Sequence, residues 1–578
     1  MISTVPATDV QVASLEKDVL VFRSRSWKRL KFEIEYGLQR GTTANSYLIT
    51  GGKRTALIDP PGASFKDQFI EALKARISLS QIDYIVLGHI NPNRVETLIA
   101  LLELAPKITI VCSNPAAKSI KELIMDFEPR LKIVRGEDAL VLGRLHILQF
   151  IPTPNPRWPG SLCTYDLANR ILYTDKYFSA HVCGDQIFDE GFDSIEEDRR
   201  YYFDCVMAPH ASKVKNNLAT LADFPAQFYA PGHGPMVRYG LTDIIQNYQN
   251  WTQAQRQKEL SVALLYASAY GHTTTLAQAI ARGISKAGIQ VNAVNCEHAN
   301  VEEMTAVIEK ADGFVIGSPT LGGHAPTQIQ SALGSILATA TKVKLAGVFG
   351  SYGWSGEAID LLEDKLRDAG FKFGFETIRV KFKPDEVTLK QCEESGTDFA
   401  QTLKRMKRVR KSTPRVKVEG QINRTAQAVG RIVGSLCVVT AHEESVASAM
   451  LASWVSQATF SPPGLSVAVA KDRAVESLLH RDGRFVLNVL SQKHSTAMMK
   501  HFLKPFRPGE DRFEGIETTE TPKGGIALDK ALSYLDCRVI SRMECGDHWV
   551  IYAEVENGEL LDKNGVTAFH HRKSGKNY

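Results

Sequence analysis

The run His89-Ile90-Asn91-Pro92-Asn93-Arg94 follows directly on the apolar segment Tyr84-Ile85-Val86-Leu87-Gly88. A buried strand ending in a loop, with side chains offered at alternate positions, is a way to present ligands to a pair of metal ions. Those ligands must be Lewis bases, imidazoles and carboxylates above all. This loop offers one imidazole, two neutral amides and a guanidinium that stays protonated in proteins. The scaffold of a metal site is expected here without its ligand set.

A second group of loops can bind a flavin. Ser268-Ala269-Tyr270-Gly271-His272-Thr273 joins an apolar run to a helical pattern. Hydroxyls, backbone N–H groups and a helix N-terminus together can hold a phosphate without Lys or Arg. Gly317-Ser318-Pro319-Thr320-Leu321 is placed to lie along an isoalloxazine edge. Ser351-Tyr352-Gly353-Trp354-Ser355-Gly356 combines aromatics that stack on a planar ring with glycines that let backbone approach it. The set predicts an FMN site of the flavodoxin type, contacted by Ser268, Tyr270, Gly271, His272, Thr273, Ser318, Pro319, Thr320, Leu321, Ser351, Tyr352, Gly353, Trp354 and Gly356.

The elements that must position these loops fall into three segments. At 578 residues the chain has room for about three to four domains. Residues 1–255 mix short β-rich runs with helical stretches and read as an α/β sandwich with functional loops at strand ends. Residues 260–402 alternate strand and helix and predict a doubly wound parallel sheet. Residues 403–424 read as a basic linker; Leu403–Val418 holds eight Lys/Arg and no acid. From 425 to 578 the text is β-rich and predicts a barrel.

Composition narrows the partners and the compartment. A net charge of +5 is too mild to imply nucleic acid binding. No apolar run approaches the ~20 residues of a membrane helix, and the N-terminus is too polar for a signal peptide. The nine cysteines are scattered and include no C-x-x-C pair, which suits a reducing cytoplasm.

With these loops in this order, and above all the run Phe349–Glu357, the chain resembles the flavodiiron proteins, in particular the longer cyanobacterial-type members with a fused flavin reductase. The resemblance implies an αββα metallo-β-lactamase-like sandwich, then the flavodoxin-like sheet, then a flavin-reductase split β-barrel. It also implies electron flow from NAD(P)H, or another donor such as a small redox protein, through flavin to a non-haem diiron centre that reduces O2 or, in some members, NO.

Carried onto this sequence, the family's ligand motif H-x-E-x-D-H falls on His89, Asn91, Asn93 and Arg94. The histidine expected before Trp-Pro is Arg157. The bridging aspartate matches Asp175, and the last histidine matches His233. His89, Asp175 and His233 are kept; Asn91, Asn93, Arg94 and Arg157 are replacements. Two lost carboxylates and two gained guanidiniums shift the pocket by four positive charges, the charge of two ferrous ions. The expectation is that guanidiniums stand where cations would, paired with Asp175 through bidentate bonds or with an anion such as chloride or phosphate. Iron is doubtful on this reading. His181 and His210 lie near this region and could in principle substitute as ligands, but they read as surface or loop histidines.

The run Ala449–Pro463 resembles the flavin-binding signature of small flavin reductases. Ser453, Trp454, Ser456 and Gln457 are its expected contacts, with Asn488 after the strand Arg484–Leu487. His548 in Gly546-Asp547-His548 is either a nicotinamide-positioning group or an ordinary turn histidine. This second flavin is FMN or FAD, and the donor NADH or NADPH. Two functions compete: an NAD(P)H:oxygen oxidoreductase in its own right, and an electron-transfer or scaffold subunit. Family dimers pack head to tail, so a homodimer, or a heterodimer with a paralogue that keeps its diiron site, is the expected assembly. A binding protein with an empty flavodoxin pocket is the third reading.

Overall fold

The computed structural model describes residues 8–27, 40–124, 127–144, 146–411 and 428–571. The chain forms two compact units, Met1–Ser285 with Ile289–Lys372, and Lys286–Gly288 with Phe373–Tyr578.

The first unit opens with two facing sheets. The seven-stranded sheet runs in sequence order from Thr8–Glu16 to Arg130–Ile133; the five-stranded sheet orders Phe228–Pro231, Ile171–Asp175, Leu162–Asp166, His146–Pro152 and Ala139–Gly143. Inward side chains such as Val21, Ile49, Ile58 and Val86 meet Leu148, Phe150, Leu162 and Tyr173 between them. Helices Lys66–Lys74 and Pro92–Leu104 cover the outer face of one sheet, and Ala211–Leu221 and Leu241–Arg256 that of the other. This is the expected αββα sandwich. The strand Tyr84–Val86 is short and wholly apolar in its core positions, as parallel strands covered on both faces must be.

The same unit then carries the parallel sheet ordered Gln290–Asn295, Ser261–Tyr266, Gly313–Pro319, Leu345–Tyr352. The order reverses at Ser261–Tyr266, so the loops after it and after Gly313–Pro319 flank a switch point, where doubly wound folds bind ligands.

In the second unit, seven antiparallel strands order Val446–Ala452, Cys437–Glu443, Arg484–Leu490, Ala531–Cys545, His548–Leu560, Pro463–Ala470, Val455–Phe460. Val439, Val467, Leu487, Val539 and Ile551 fill its core. The basic stretch expected as a linker is corrected in its first part: the helix Glu386–Lys411 runs straight through residues 403–411. No proline or glycine interrupts it there, and late basic residues suit a helix C-terminus. Residues 412–424 lie outside the described residues. Among the described residues no helix is long and apolar enough to cross a membrane.

Candidate functional site

The first pocket is organised by two carboxylates. Gly88 follows the strand Tyr84–Val86, and its N–H donates to Asp59 Oδ1 at 2.9 Å. A Cβ at Gly88 would come within 2.8 Å of both Asp175 Cβ and Asp59 Oδ2, so only glycine lets the three segments converge. His89 is buried, with Nδ1 2.8 Å from Asp175 Oδ2. Asn91 is the N-cap of the helix Pro92–Leu104: its Oδ1 accepts from Arg94 N–H at 3.1 Å, with Pro92 at the first helical position. Its Nδ2 lies 3.3 Å from His89 Nε2. The ligand position thus serves the helix start, and both imidazole nitrogens of His89 are engaged.

Capping sets the first turn of the helix so that Arg94 points inward. Its Nη1 donates to Asp59 Oδ1 and to His89 O, the latter at 3.2 Å, while Nη2 is 3.7 Å from Asp175 Oδ1. The expected bidentate pairing of arginine with Asp175 is therefore corrected. Asp59, which the motif comparison does not single out, takes the direct bond, and Asp175 contributes a longer ion pair while its other oxygen serves His89. Arg157 lies with its guanidinium carbon 4.8 Å from the Trp158 ring centroid. Asn93 faces Gly62, where its Nδ2 would sit 2.5 Å from a Cβ. A third cation was missed: Lys176 is fully buried, with Nζ 3.9 Å from Asp175 Oδ1 and 5.1 Å from the Trp158 ring. Its place directly after Asp175 in sequence was the available signal.

His233 is buried, and its Nδ1 lies 2.6 Å from Thr43 O, which fixes that nitrogen as the donor. His181 and His210 are not surface groups. Both are buried, and the His181 ring stands 4.6 Å from that of His233 with Nδ1 2.7 Å from Thr42 Oγ1. His210 ends the short turn Ala208–His210, which is wholly buried.

Burial decides the protonation states. It pushes Asp175 up to about 6 against the opposing pull of Arg94 and His233, and raises Asp59 as well. It drives His89 and His181 well below the usual imidazole range, and His233 and His210 down to about 3. Four neutral imidazoles and a desolvated lysine surround the acids.

Ligand-capable atoms of Asp59, His89 and Asp175 lie within 4.8 Å of one another. The cavity that Asp59, His89, Asn93, Arg94 and His233 line has a volume of about 10 Å³, room for one water at most. A diiron pair does not fit this donor set: the Arg94 guanidinium is set against both Asp59 and Asp175, and the amides of Asn91 and Asn93 stand where the family motif has carboxylates.

The flavin loops fit their group. Thr273 Oγ1 and Ser351 Oγ are 2.8 Å apart and tie the first loop to the third, while Thr320 N–H donates to Ser351 O at 2.9 Å and ties in the second. Ser268 Oγ accepts from Thr274 N–H at 3.3 Å, opening the helix His272–Lys286. Thr320 Oγ1 is buried with no hydrogen-bond partner among the described residues, an orphan that a flavin edge can satisfy. Tyr270 and Trp354 are 74% and 92% exposed, and aromatic rings of this kind stack on a planar heterocycle. Gly271, at φ +83°, has nothing within 4 Å of a built Cβ. Ser318 bonds Pro319 O, and Leu321 is exposed beside it. Gly353 and Gly356 lie in the third loop, while His272 begins the helix His272–Lys286 and Tyr352 ends the strand Leu345–Tyr352.

In the barrel, Ser453 is buried with Oγ unpartnered among the described residues, and the Trp454 ring lies 4.9 Å from that of His548. Asp547 Oδ1 holds His548 Nδ1 at 2.7 Å, and Nε2 is buried without a hydrogen-bond partner among the described residues. Ser456 and Gln457 are exposed on the edge strand Val455–Phe460. Asn488 is different. The strand continues to Leu490, so Asn488 lies inside it; its Nδ2 donates to Val438 O at 3.3 Å and Thr440 Oγ1 at 3.2 Å, and its Oδ1 accepts from Leu528 N–H at 2.8 Å. That amide is spent on the barrel wall, and the expectation of a flavin contact is corrected on that ground.

The geometry defines a flavoprotein of the oxidoreductase class built on a diiron-type scaffold. Residues 42–234 match the family described as ODP family beta lactamase, 264–396 match flavodoxin and 429–576 the flavin reductase like domain. Putative diflavin flavoprotein A 6 of Nostoc sp. (strain PCC 7120 / SAG 25.82 / UTEX 2576) is 60% identical, with 99% of each chain covered. Putative diflavin flavoprotein A 3 of Synechocystis sp. (strain ATCC 27184 / PCC 6803 / Kazusa) is 60% identical, covering 100% of this chain and 96% of that one. Among solved structures, the metal soaked Flv1 flavodiiron core from Synechocystis sp. PCC6803 is 61% identical, with a TM-score of 0.68 over 69% of this chain and 100% of that one. The chain belongs to the flavodiiron family, among the diflavin flavoproteins A that join lactamase-like, flavodoxin and flavin reductase domains.

Proposed function

We propose that this protein is an electron-transfer subunit in the reduction of O2 to water. NAD(P)H, or another donor, reduces the flavin of a barrel module at residues 425–578; electrons then pass to FMN in a flavodoxin module at 260–402. The terminal step belongs to the intact diiron site of a paralogous partner, docked head to tail so that this chain's FMN loops face it. The observation that carries this reading is the guanidinium of Arg94 bound to Asp59 and set against Asp175, in the volume that ligands and cations would otherwise fill. Bound flavin supplies reversible one- and two-electron carrier chemistry. The chain's own residues bind and orient it: Ser268 and Thr273 at the phosphate, Thr320 at the ring edge, Tyr270 and Trp354 on the ring faces. The free cysteines, most of them buried, favour a cytoplasmic setting.

A second reading, a metal-free regulatory or scaffold subunit with little oxygen reductase activity, rests on the same pocket. Three measurements on the purified chain separate them: iron content, anaerobic flavin reduction by NADH and NADPH, and oxygen uptake alone and with a paralogue. The proposal expects no stoichiometric iron, fast flavin reduction, slow uptake alone and a large gain with the partner. Two irons per chain sink the pocket argument, and a partner that gains nothing leaves the scaffold reading.

A further inference from the structure

The second unit contains a charged cluster that none of the flavin loops uses. Lys286, Lys390, Glu393, Glu476 and Arg542 meet there, each with a side chain no more than 8% exposed. All five belong to this unit, Lys286 as the residue by which the helix His272–Lys286 enters it. They converge on the short turn Ala474–Leu478, between the strands Pro463–Ala470 and Arg484–Leu490. Lys390, on the helix Glu386–Lys411, donates from Nζ to Ala474 O and to Ser477 Oγ. Ser477 Oγ itself donates to Ala474 O at 3.1 Å, so the lysine is the donor in their shared bond. Lys286 Nζ binds Glu393 Oε1, donates to Arg473 O at 3.3 Å and lies 3.8 Å from Glu476 Oε2. Arg542 Nη1 is 3.3 Å from Glu476 Oε1, and its guanidinium carbon is 4.2 Å from the Trp549 ring centroid.

Three cations thus face two carboxylates with little water to screen them. The other charges facing Lys390 leave that balance as it is, because Glu394 is paired with Arg512 at 3.3 Å. A guanidinium keeps its proton, so the surplus charge can leave only through a lysine. Lys286 binds a carboxylate directly, whereas Lys390 is bonded to a carbonyl and a hydroxyl and stands 3.8 Å from Glu393. Burial pushes the Lys390 amine down to about 8; Lys286 and Arg512 add to that shift, and Glu393 and Glu394 oppose it. A neutral amine keeps two hydrogens, enough for Ala474 O and Ser477 Oγ. Proton loss therefore removes the surplus charge and spares both bonds.

We infer that this cluster is a proton-operated clasp: protonation of the Lys390 amine loosens the seat of the helix Glu386–Lys411 on the turn Ala474–Leu478, and deprotonation tightens it. The sense follows from linkage. An exposed lysine holds its proton to about 10.5 and the seated one only to about 8, so the open form binds the extra proton. Between those values a rise in pH favours the closed form, and below about 8 the burial penalty is constant.

Amide hydrogen exchange on the full-length holoprotein, read at residues 386–400 and 473–480 and corrected for the intrinsic rate at each pH, measures the opening. From pH 7 to pH 9 Lys390 should lower it about tenfold. Buried thiols such as Cys392, pushed up to about 12, work the other way by about twofold, which leaves a net fall of about fivefold in the wild type. K390M has no proton to exchange and K390R keeps its charge, so neither should show that fall. Circular dichroism and flavin content establish that the variants fold, and K390R alone decides if K390M does not. Opening that fails to fall with pH in the wild type, or that falls equally in K390R, overturns the inference. Exchange needs no turnover, so the result is independent of which donor reduces the flavin.

Discussion

Replacing Arg94 with alanine isolates the interaction on which the first pocket depends. The side chains of Arg94, Asp59 and Asp175 are 9%, 4% and 2% exposed, so water cannot replace the lost cation. Removing one partner of a buried ion pair typically costs ~3–5 kcal/mol, because the remaining charge is stranded. Arg94 is the largest influence holding both carboxyls down, so its loss raises them further and favours their protonation. The penalty is accordingly largest at neutral pH, where the acids must ionise, and shrinks towards pH 5. Asp59→Asn removes the charge that Arg94 directly binds. The double variant should recover about 2 kcal/mol relative to the sum of the singles, since contacting charges are not additive. Hydrogen exchange across Gly88–Leu104 is the suitable readout, because a chain with several domains has no single unfolding free energy. The segment should open about a hundredfold or more often in Arg94→Ala at pH 7.5. An opening free energy within about 0.5 kcal/mol of wild type at both pH values would refute the claim that this guanidinium replaces the cations.

Restoring the ligand set with Asn91→Glu, Asn93→Asp, Arg94→His and Arg157→His together should give a chain that holds close to two irons, while Arg94→His alone should hold none in stoichiometric amount; elemental analysis distinguishes them. The pocket's pH response has two opposed parts. Asp175, raised to about 6, gains stability as pH falls from there, by about 3 kcal/mol at most. His233 and His210, lowered to about 3, lose stability as pH falls below ~6.5, each by about 3 kcal/mol by pH 4. With His89 and His181 lowered too, the histidines win, so the unfolding temperature should drop steadily below pH 6.5, and His210→Gln should flatten that slope. Trp354→Ala should weaken FMN about tenfold by loss of stacking, read from flavin fluorescence. Asn488→Ala should lower barrel stability by ~1–3 kcal/mol through an orphaned Leu528 N–H, with flavin affinity within a factor of two of wild type.

The flavin loops were legible in sequence because their chemistry is local. Each loop gathers its own glycines, hydroxyls or aromatics within a few residues, and the alternation of strand and helix says which ends the loops occupy. The first pocket was legible only at its rim. Asn91 and Arg94 were visible as departures from a motif, and Lys176 had only its place beside Asp175 to mark it, but Asp59 comes from a strand end about thirty residues earlier that no spacing rule joins to the motif. Asn488 misled for the converse reason: a residue two positions inside a strand can look like one just past its end, and the difference between a cofactor contact and a wall bond lies in which backbone faces it. His181 and His210 read as surface groups because loop sequence says nothing about whether the loop folds inward.

Asp59 and Asp175 share one further property. Both sit at the ends of strands with left-handed backbone, at φ 51° and φ 47°. For a residue with a Cβ that conformation costs ~1–2 kcal/mol, and it persists only where surroundings over-determine it. In a pocket that held metal, coordination would supply the determination. Here the compensating contacts are the Gly88 N–H on Asp59, His89 on Asp175, and Arg94 reaching both. The left-handed backbone at both carboxylates is thus matched to side-chain and backbone contacts. Those contacts fix the two carboxylates at the ends of their strands in the sandwich, beside the imidazole of His89.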